Sequence, residues 1–457
     1  MKTVLFAILL IGCTAVTAAR GWSFNGDFYA GGGGRFSTYQ GLDGEDANET
    51  STFGEGALTL MYNNGFWYGS IFAEALRDEY YTEITGKASL AIADNAIGNY
   101  RFYMSYRNLD DITDLDNDSG TLSFYLEGMK YLNRDVSVNV FSHYSSTAYK
   151  HMMSMTPDYS NLMTSAALNY KDISVRLSTE KVSYAEGSLI PDSLDMKAQV
   201  YLNYYRNSIL SYSSLSYQTK DYDFSDLTYR PYTRLDINTR TGYRLSSTFI
   251  PYLLGSYVKQ NEEAVEYEES LTNFSLDGSY TLWKIGAEIN AFKYPMTLSA
   301  KIGRQEFDQE NFEKLAYRNH NILSLQAGWS YWGEGHSITI SDKWEQQTYD
   351  RTYFTEYYIW YDAFDAVVNN ALLIAEYDLA NNVSTEFRLG MDSYDYSQED
   401  YLHYNYKQYL IGFTSDYHFS SNYTLSVITE YITTAYESVP ENDIHDITVK
   451  SFLKMSF

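Results

Sequence analysis

Apolar and polar residues alternate with a period of two along most of the chain, and this alternation limits the fold more than any other feature. It is clearest at 173–178, where the apolar set Ile173, Val175 and Leu177 alternates with Ser174, Arg176 and Ser178. The same pattern recurs at 136–140 and 296–303. Successive side chains of a β-strand point to opposite faces of a sheet. The sequence therefore predicts an all-β fold whose strands have one oily face and one polar face.

The first residues read as a secretory signal. Lys2 supplies a positive start, residues 4–11 form a short apolar core, and residues 17–19 (Thr-Ala-Ala) form a small-residue cleavage site. We therefore expect residues 1–19 to be removed as a signal peptide and residues 20–457 to form a single domain.

Cys13 allows a second interpretation of the signal sequence. The sequence LIGC at 10–13 resembles a bacterial lipoprotein cleavage motif, and cleavage there would leave Cys13 lipidated. If the site after residue 19 is cut instead, the mature chain has no cysteine. Disulfides, thiolate metal sites and covalently bound haem are then excluded.

An exported protein without a membrane-spanning helix has two possible locations. After residue 19 no apolar run approaches the roughly 18 residues that a spanning helix needs. The chain is then either a soluble secreted β-protein or a barrel in an outer membrane. Its 48 Tyr, 23 Phe and 7 Trp suit half-buried strand faces and the water–lipid boundary. The net charge of -26 excludes nucleic acid as a partner, because phosphate binding requires basic patches.

The connections between the alternating segments favour the barrel. Short, turn-rich joints lie at 63–65, 132–135, 171–172, 206–207, 294–295, 333–335, 380–382 and 420–422. Long acidic segments, which start at residues 41, 108, 259 and 308, lie between them. Transmembrane barrels have this asymmetry, with short periplasmic turns and longer outer loops. The predicted architecture is a single transmembrane, antiparallel, up-and-down β-barrel with short periplasmic turns and long acidic outer loops.

The strand count follows from the same pattern. Alternating segments give about 22 strands (20–24), with starts near residues 22, 53, 66, 82, 98, 120, 135, 163, 173, 195, 208, 228, 242, 268, 296, 319, 336, 369, 382, 404, 423 and 446. Residues 271–294 change phase, so they are either one long strand with a bulge near Trp283 or two strands with a tight joint. An even count returns both termini to one rim and favours a single strand there.

The last dozen residues carry a family resemblance. Leu453, Met455 and Phe457 occupy every second position, and the chain ends on an aromatic residue. This segment resembles the C-terminal assembly signal of the Gram-negative outer-membrane β-barrel (porin-like) superfamily. The resemblance implies the cell outer membrane as the location. The partners that it implies are outer-membrane lipid and lipopolysaccharide and the barrel assembly machinery. The predicted width of the barrel adds a periplasmic or lumen-inserted protein as a further candidate partner.

Three carboxylates form the one candidate metal site. Asp114, Asp116 and Asp118 have the spacing that places carboxylates around a calcium ion, although the glycine comes one position late for an EF-hand loop. The alternative is a solvated acidic loop. A looser version of the site would bind divalent cations that also bridge lipopolysaccharide phosphates. No resident cofactor is predicted.

Residues 352–368 form an aromatic segment in a predicted loop. One reading is a cap or short helix on the barrel rim. The other folds the segment into the lumen, where a constriction would be lined by Tyr357, Tyr358, Trp360 and Tyr361. A run of four glycines at 31–34 lies in the first strand region, where flexibility or close packing explains it.

These features predict a channel and not an enzyme. No G-x-S-x-G motif is present, and none of the seven histidines stands in an H-x-x-x-H pattern. The favoured function is a porin-like barrel for the passive passage of small hydrophilic solutes or ions. A barrel near 22 strands is wide, and known examples are plugged. One alternative is therefore a sheath around a partner protein, as in porin–cytochrome electron conduits, and another is a surface adhesin or scaffold.

Overall fold

The structure, a computed structural model, is built of β-strands. It describes residues 23–40, 46–63, 67–77, 81–94, 98–111, 118–149, 157–186, 188–224, 229–263, 265–269, 272–276, 279–292, 295–308, 319–350, 365–397, 405–437 and 443–456. The strands are β1 Ser23–Gln40, β2 Asp46–Asn63, β3 Trp67–Arg77, β4 Tyr81–Asp94, β5 Gly98–Asp111, β6 Ser119–Tyr131, β7 Val136–Tyr149, β8 Tyr159–Tyr170, β9 Ile173–Tyr184, β10 Ser193–Arg206, β11 Ile209–Tyr222, β12 Tyr232–Tyr243, β13 Phe249–Glu262, β14 Val265–Glu269, β15 Thr272–Leu276, β16 Tyr280–Ala291, β17 Met296–Phe307, β18 His320–Gly333, β19 His336–Tyr349, β20 Ala366–Ala380, β21 Val383–Tyr396, β22 Tyr406–Ser420, β23 Tyr423–Tyr436 and β24 Ile444–Ser456.

Twenty-two of these strands form one closed sheet. Each wall strand pairs antiparallel with its neighbours along the chain, and β13 pairs directly with β16. The first strand, β1, pairs with the last, β24, so the sheet has no free edge. The remaining strands, β14 and β15, form a separate two-stranded hairpin between β13 and β16. The predicted antiparallel up-and-down barrel with 22 strands is confirmed. In the described part of the chain, no helix has the length and apolar character that a membrane crossing requires.

Strand β9 illustrates why the sequence forms this wall. Its apolar residues Ile173, Val175 and Leu177 are 43%, 40% and 60% exposed, whereas the alternate residues are less exposed. A closed sheet crowds the side chains of its concave face and spreads those of its convex face. The apolar set therefore lies on the outside, and the polar set, including Arg176, lies on the lumen side. The alternation predicted from the sequence is confirmed here.

The outer face is apolar around the circumference. Exposed apolar side chains on it include Leu90, Phe102, Leu126, Val140, Leu168, Leu177, Val200, Leu215, Ile237, Leu253, Ile285, Leu298, Leu325, Ile340, Leu389, Ile411, Val449 and Leu453. Monomeric soluble proteins do not expose a continuous apolar belt of this extent. Hydrocarbon tails solvate such a belt, as in transmembrane barrels.

The two rims of the cylinder differ in the length of their connections. On one rim, here the short-turn rim, connections are as short as the two residues 207–208 between β10 and β11. Asn207 and Ser208 both have positive φ angles, 50° and 69°, as a type I′ hairpin turn requires. On the opposite rim, the long-connection rim, β19 and β20 are separated by residues 350–365.

The wall departs from the sequence-based prediction between residues 242 and 294. The predicted starts near 242 and 268 are wrong, because β13 begins at Phe249 and β16 begins at Tyr280. The predicted bulge near Trp283 is also absent, since β16 pairs with both neighbours in unbroken register. Trp283 opens the outward apolar series. The apolar residues of the sequence change phase here because Tyr280 and Leu282, near the long-connection rim, face the lumen, whereas the apolar residues from Trp283 onward face outward.

Parts of the predicted acidic loops are strand. Residues 46–51 lie in β2 and pair with β1, so the predicted start near 53 is wrong by seven residues, and residues 259–262 lie in β13. Strands of a barrel extend beyond the roughly 9–11 residues that cross lipid, so charged residues occur within them near the rims. For a circular section with strands about 4.8 Å apart and tilted by about 40°, a wall of this strand number has a backbone diameter of about 44 Å.

Candidate functional site: the lumen wall

The lumen wall is the inner face of the 22-stranded sheet, and its register decides which side chains meet. On β3 and β4, Ser70 and Ser89 lie opposite each other with their hydroxyl oxygens 2.8 Å apart. One row towards the long-connection rim, the ammonium of Lys87 lies 5.0 Å from the ring centroid of Phe72. The inner face therefore mixes hydroxyl, charged and aromatic groups, in contrast to the apolar outer face.

Acidic and basic residues on the inner face of the described strands are almost equal in number. Among the strand residues whose side chains the structure describes, the acidic set by register is Asp27, Glu55, Glu74, Glu83, Glu127, Glu180, Asp195, Asp236, Glu262, Glu288, Glu345, Glu376, Asp378, Glu386, Asp392, Asp416, Glu430 and Asp446. The basic set is Arg35, Lys87, Arg101, Arg107, Arg176, Lys197, Lys220, Arg234, Arg240, Lys284, Lys301, Lys343, Arg388, Lys450 and Lys454. The acidic set is three residues longer, against a net charge of -26 for the whole chain. Most of the acidic excess therefore lies outside the lumen wall.

Many of these charges form ion pairs, either within one strand or between strands. Near the long-connection rim, Arg107 donates from Nε and Nη2 to the two carboxylate oxygens of Glu83, both at 2.8 Å. Near the short-turn rim, Arg240 donates to Glu288 at 2.5 Å, and its guanidinium lies 3.8 Å from the ring centroid of Tyr252. Hydrated pairs of this kind contribute little stability, about 0–1 kcal/mol each. Their effect on the lumen is to cancel charge locally.

Two carboxylates that face each other accept hydrogen bonds from amides instead. Glu180 and Asp195 lie directly opposite on β9 and β10. Asn161 donates to Glu180 at 2.6 Å, and Gln218 donates to Asp195 at 2.5 Å. The amide donors offset the repulsion between the two carboxylates and hold both side chains against the wall.

Aromatic rings form a ladder on the inner face of β21, β22 and β23. Tyr394 and Tyr406 stack with ring centroids 4.9 Å apart and planes at 20°. Tyr406 and Tyr436 follow at 5.9 Å. The three tyrosines form one row across the strands, near the long-connection rim.

The barrel closes at a seam between β1 and β24, and its contacts explain the glycine run. Gly31 lies against Phe452, and a Cβ atom on Gly31 would be 2.3 Å from Cδ1 of that ring. The close-packing reading of the glycines is confirmed at this position. Arg35 and Asp446 form an ion pair of 2.6 Å across the seam, and the hydroxyl of Ser456 donates to Asp27.

The predicted assembly segment lies on the outer face of β24. Leu453 is 45% exposed and shares that face with Ile447, Val449 and Met455. The apolar face predicted for this strand is therefore confirmed. Phe457 lies outside the described residues.

The other predicted site residues are only partly within the described structure. Asp118 lies beside the start of β6 and is buried, whereas Asp114 and Asp116 lie outside the described residues. The predicted constriction residues Tyr357, Tyr358, Trp360 and Tyr361 also lie outside them. Over the described ranges, no group of three or more His, Cys, Asp or Glu side chains could hold a metal ion.

Sequence reasoning missed the lumen pairs that join different strands, because these pairs depend on the register between strands. Arg240 and Glu288 are 48 residues apart, and β13 lies between their strands. The sequence does contain one signal: both residues occupy polar positions of an alternating segment, so both are expected to face the lumen. This signal does not indicate which residues of different strands lie side by side.

Comparisons with known proteins show structures of similar fold but no relative that is similar in sequence. No protein-family model matches the chain. No curated protein sequence matches it either. Solved structures do match. The siderophore receptor PirA from Pseudomonas aeruginosa has a TM-score of 0.57 at 10% identity, over 94% of this chain and 80% of that one. PirA from Acinetobacter baumannii has a TM-score of 0.58 at 9% identity, over 94% and 80%.

A mutant of the ferric enterobactin receptor PfeA from Pseudomonas aeruginosa, in complex with enterobactin, has a TM-score of 0.62 at 7% identity. The match covers 94% of this chain and 81% of that one. At such identities the likeness concerns the fold alone. Together with the closed wall and the apolar outer belt, it identifies the chain as an outer-membrane β-barrel protein located in the cell outer membrane.

Proposed function

We propose that the protein is a transport barrel that lets hydrophilic solutes cross the outer membrane through its lumen. The observation that carries the proposal is the polar inner face, whose charges are nearly balanced and many of which form ion pairs. Water wets such a surface, and neither ion sign is strongly excluded from it. The matched barrels described as siderophore receptors are compatible with a transport role, but a fold hosts many functions, so the argument rests on the lumen.

Weak ion selectivity follows from the charge balance. The net charge of the chain favours cations only if the carboxylates line the lumen. On the described inner face the acidic excess is three residues, so the preference for cations is small. Acidic groups elsewhere in the chain would act at the mouths of the barrel, where salt screens them within about 8–10 Å.

Planar-bilayer recordings test the proposal. Purified protein should insert as a conducting channel without any added partner. Under a tenfold KCl gradient, the reversal potential should stay within about 20 mV of zero, against about 59 mV for an ideal cation channel. Absence of conductance from folded, inserted protein would refute the open transport barrel.

A second candidate, a sheath around a partner protein, is favoured by the width of the barrel. All described strands belong to the wall or to the β14–β15 hairpin. A backbone diameter of about 44 Å is wide enough for a protein insert, and barrels of this strand number are known with a plugged lumen. Purification in mild detergent distinguishes the candidates, because a sheath comes with a stoichiometric partner and conducts only after the partner is removed. The adhesin or scaffold function stays a prediction.

Under this proposal the short-turn rim faces the periplasm and the long-connection rim faces outward, as in other transmembrane barrels. Lipid and lipopolysaccharide would then surround the apolar belt. Protease added to intact cells should cleave only connections of the long-connection rim.

A further inference from the structure

A recess in the lumen wall spans the strands from β18 to β23. Its volume is about 380 Å³, and it opens onto the lumen. Six neighbouring strands contribute to it, so its length is about 24 Å at an inter-strand spacing of 4.8 Å. It lies within the wall, between the short-turn rim and the tyrosine ladder described above. The shape is that of an elongated groove that runs across the strands.

The floor of the groove is apolar. Leu372, Gly390, Leu410 and Ile432 occupy one row across β20 to β23. Gly390 deepens the groove, because it has no side chain between its two leucine neighbours. A Cβ atom added to Gly390 would lie 3.2 Å from Cβ of Leu410 and 3.8 Å from Cδ1 of Leu372.

A row of polar groups borders this floor on the side of the long-connection rim. In order across the strands they are Gln326, Lys343, Asn370, Asp392 and Gln408. Three of these side chains are carboxamides, each of which donates and accepts hydrogen bonds. The next row, about 7 Å further on, is the tyrosine ladder.

The two charged groups in the row are already engaged within the wall. The ammonium of Lys343 lies 3.5 Å from a carboxylate oxygen of Glu345. Asn370 donates to Asp392 at 2.8 Å. Lys343 and Asp392 are opposite in sign and flank Asn370 in the same row, so the row carries no net charge, and an ion of either sign meets one repulsive group there.

From these contacts we propose that the groove is a binding site for a neutral, linear oligosaccharide. Sugar rings have apolar C–H faces, which fit the leucine floor, and hydroxyl edges, which fit groups that donate and accept. Asn370 and Gln408 each use a donor within the wall, to Asp392 and Thr434, and a purely apolar ligand would leave the remaining hydrogen-bonding groups of the bordering amides without water, at a cost of about 1–3 kcal/mol each. The length of the groove suits a chain of several sugar rings. As a step in solute passage this site rests on the proposed transport function, but binding itself is measurable without transport.

Isothermal titration calorimetry of the purified, folded barrel tests the site, with maltohexaose and cellohexaose as probes. At least one probe should bind with a millimolar or tighter dissociation constant. Gly390→Leu fills the groove and should weaken binding at least tenfold. Gly412→Leu is the matched control, because Gly412 is an inner-face glycine on the neighbouring strand β22, one row outside the groove. The control should bind within twofold of wild type.

A second variant distinguishes loss of binding from a folding defect. Gln326→Leu removes a lumen-exposed carboxamide, and it should weaken binding at least threefold in a barrel that keeps its heat-modifiable migration on gels. Equal affinity of wild type and Gly390→Leu would overturn the site. So would the absence of binding by folded protein at 50 mM probe, or tighter binding of the zwitterion glycyl-leucine than of either sugar.

Liposome swelling separates this site from the proposed function. Passage of small sugars without any binding of the hexasaccharides refutes the groove and leaves transport standing. Binding that is sensitive to Gly390→Leu, in liposomes that do not swell, supports the groove and refutes the open transport barrel.

Discussion

Replacement of Gly31 by alanine tests the steric fit of the barrel seam. A Cβ atom at this position would lie 2.2 Å from the carbonyl oxygen of Ser451, 2.3 Å from Cδ1 of Phe452 and 2.9 Å from Cα of Phe452. The ring could rotate away, but the other two atoms belong to the backbone of β24. The strand itself must therefore shift, and overpacking of this kind costs about 1–3 kcal/mol. With two backbone contacts below 3.0 Å, we expect the upper end of that range.

Urea unfolding of the protein in lipid vesicles, followed by tryptophan fluorescence, measures this cost. Gly54→Ala is the matched control, since its nearest neighbour is the backbone oxygen of Gly31 at 3.9 Å, and it should change stability by less than about 0.5 kcal/mol. Phe452→Ala should restore less than half of the loss caused by Gly31→Ala, because it removes only the ring contact. A stability of Gly31→Ala within 0.5 kcal/mol of the control would refute the reasoning.

Three further outcomes use the same unfolding assay. Ser208→Gly should stabilise the barrel by about 0.5–1 kcal/mol, because glycine tolerates the positive φ of this turn; destabilisation would contradict the turn geometry. Leu389→Arg on the outer face should cost roughly 2–4 kcal/mol, whereas Ser341→Arg on the lumen face should cost under about 1 kcal/mol, and equal costs would contradict the assignment of faces. Arg107→Ala should cost no more than about 1 kcal/mol, since its pair with Glu83 is hydrated, and a larger loss would imply a dry contact.

The wall could be predicted from the sequence wherever turn chemistry punctuates the alternation. Predicted starts at 98, 173, 296, 336 and 423 coincide with the first residues of β5, β9, β17, β19 and β23. Each of these strands follows a short joint, where a chain reversal has to take place within a few residues. The strand period and the turn together fix both the face and the start.

The failures have two causes: missing turn residues before β13, and strand-like sequence in the connection before β16. The turn at 244–248, Arg-Leu-Ser-Ser-Thr, contains no Gly, Pro or Asn, so the start of β13 was misplaced. The connection between β13 and β16 contains the β14–β15 hairpin, whose sequence alternates like that of a wall strand although the hairpin is not part of the wall. Local sequence cannot distinguish these strands, because only pairing with a distant neighbour makes a strand part of the barrel.

The groove was beyond prediction for a related reason. Leu372, Gly390 and Leu410 come from three strands, and each of them is an ordinary strand residue in its own segment. Their apolar character even conflicts with the polar phase expected of a lumen face. Only the register across β20, β21 and β22 gathers them into one row.

Closure of the cylinder by its first and last strands has a consequence for the order of folding. Asp27 and Ser456, which meet at the seam, are separated by 429 residues. Joining ends so far apart costs about 3 kcal/mol more chain entropy than closing a loop of 15 residues. Hairpins between consecutive strands are the cheaper events, so ring closure is expected to come last. Until then the growing sheet carries two unpaired edges, each able to capture a strand of another chain. The interval before closure is the period in which this protein is most exposed to aggregation.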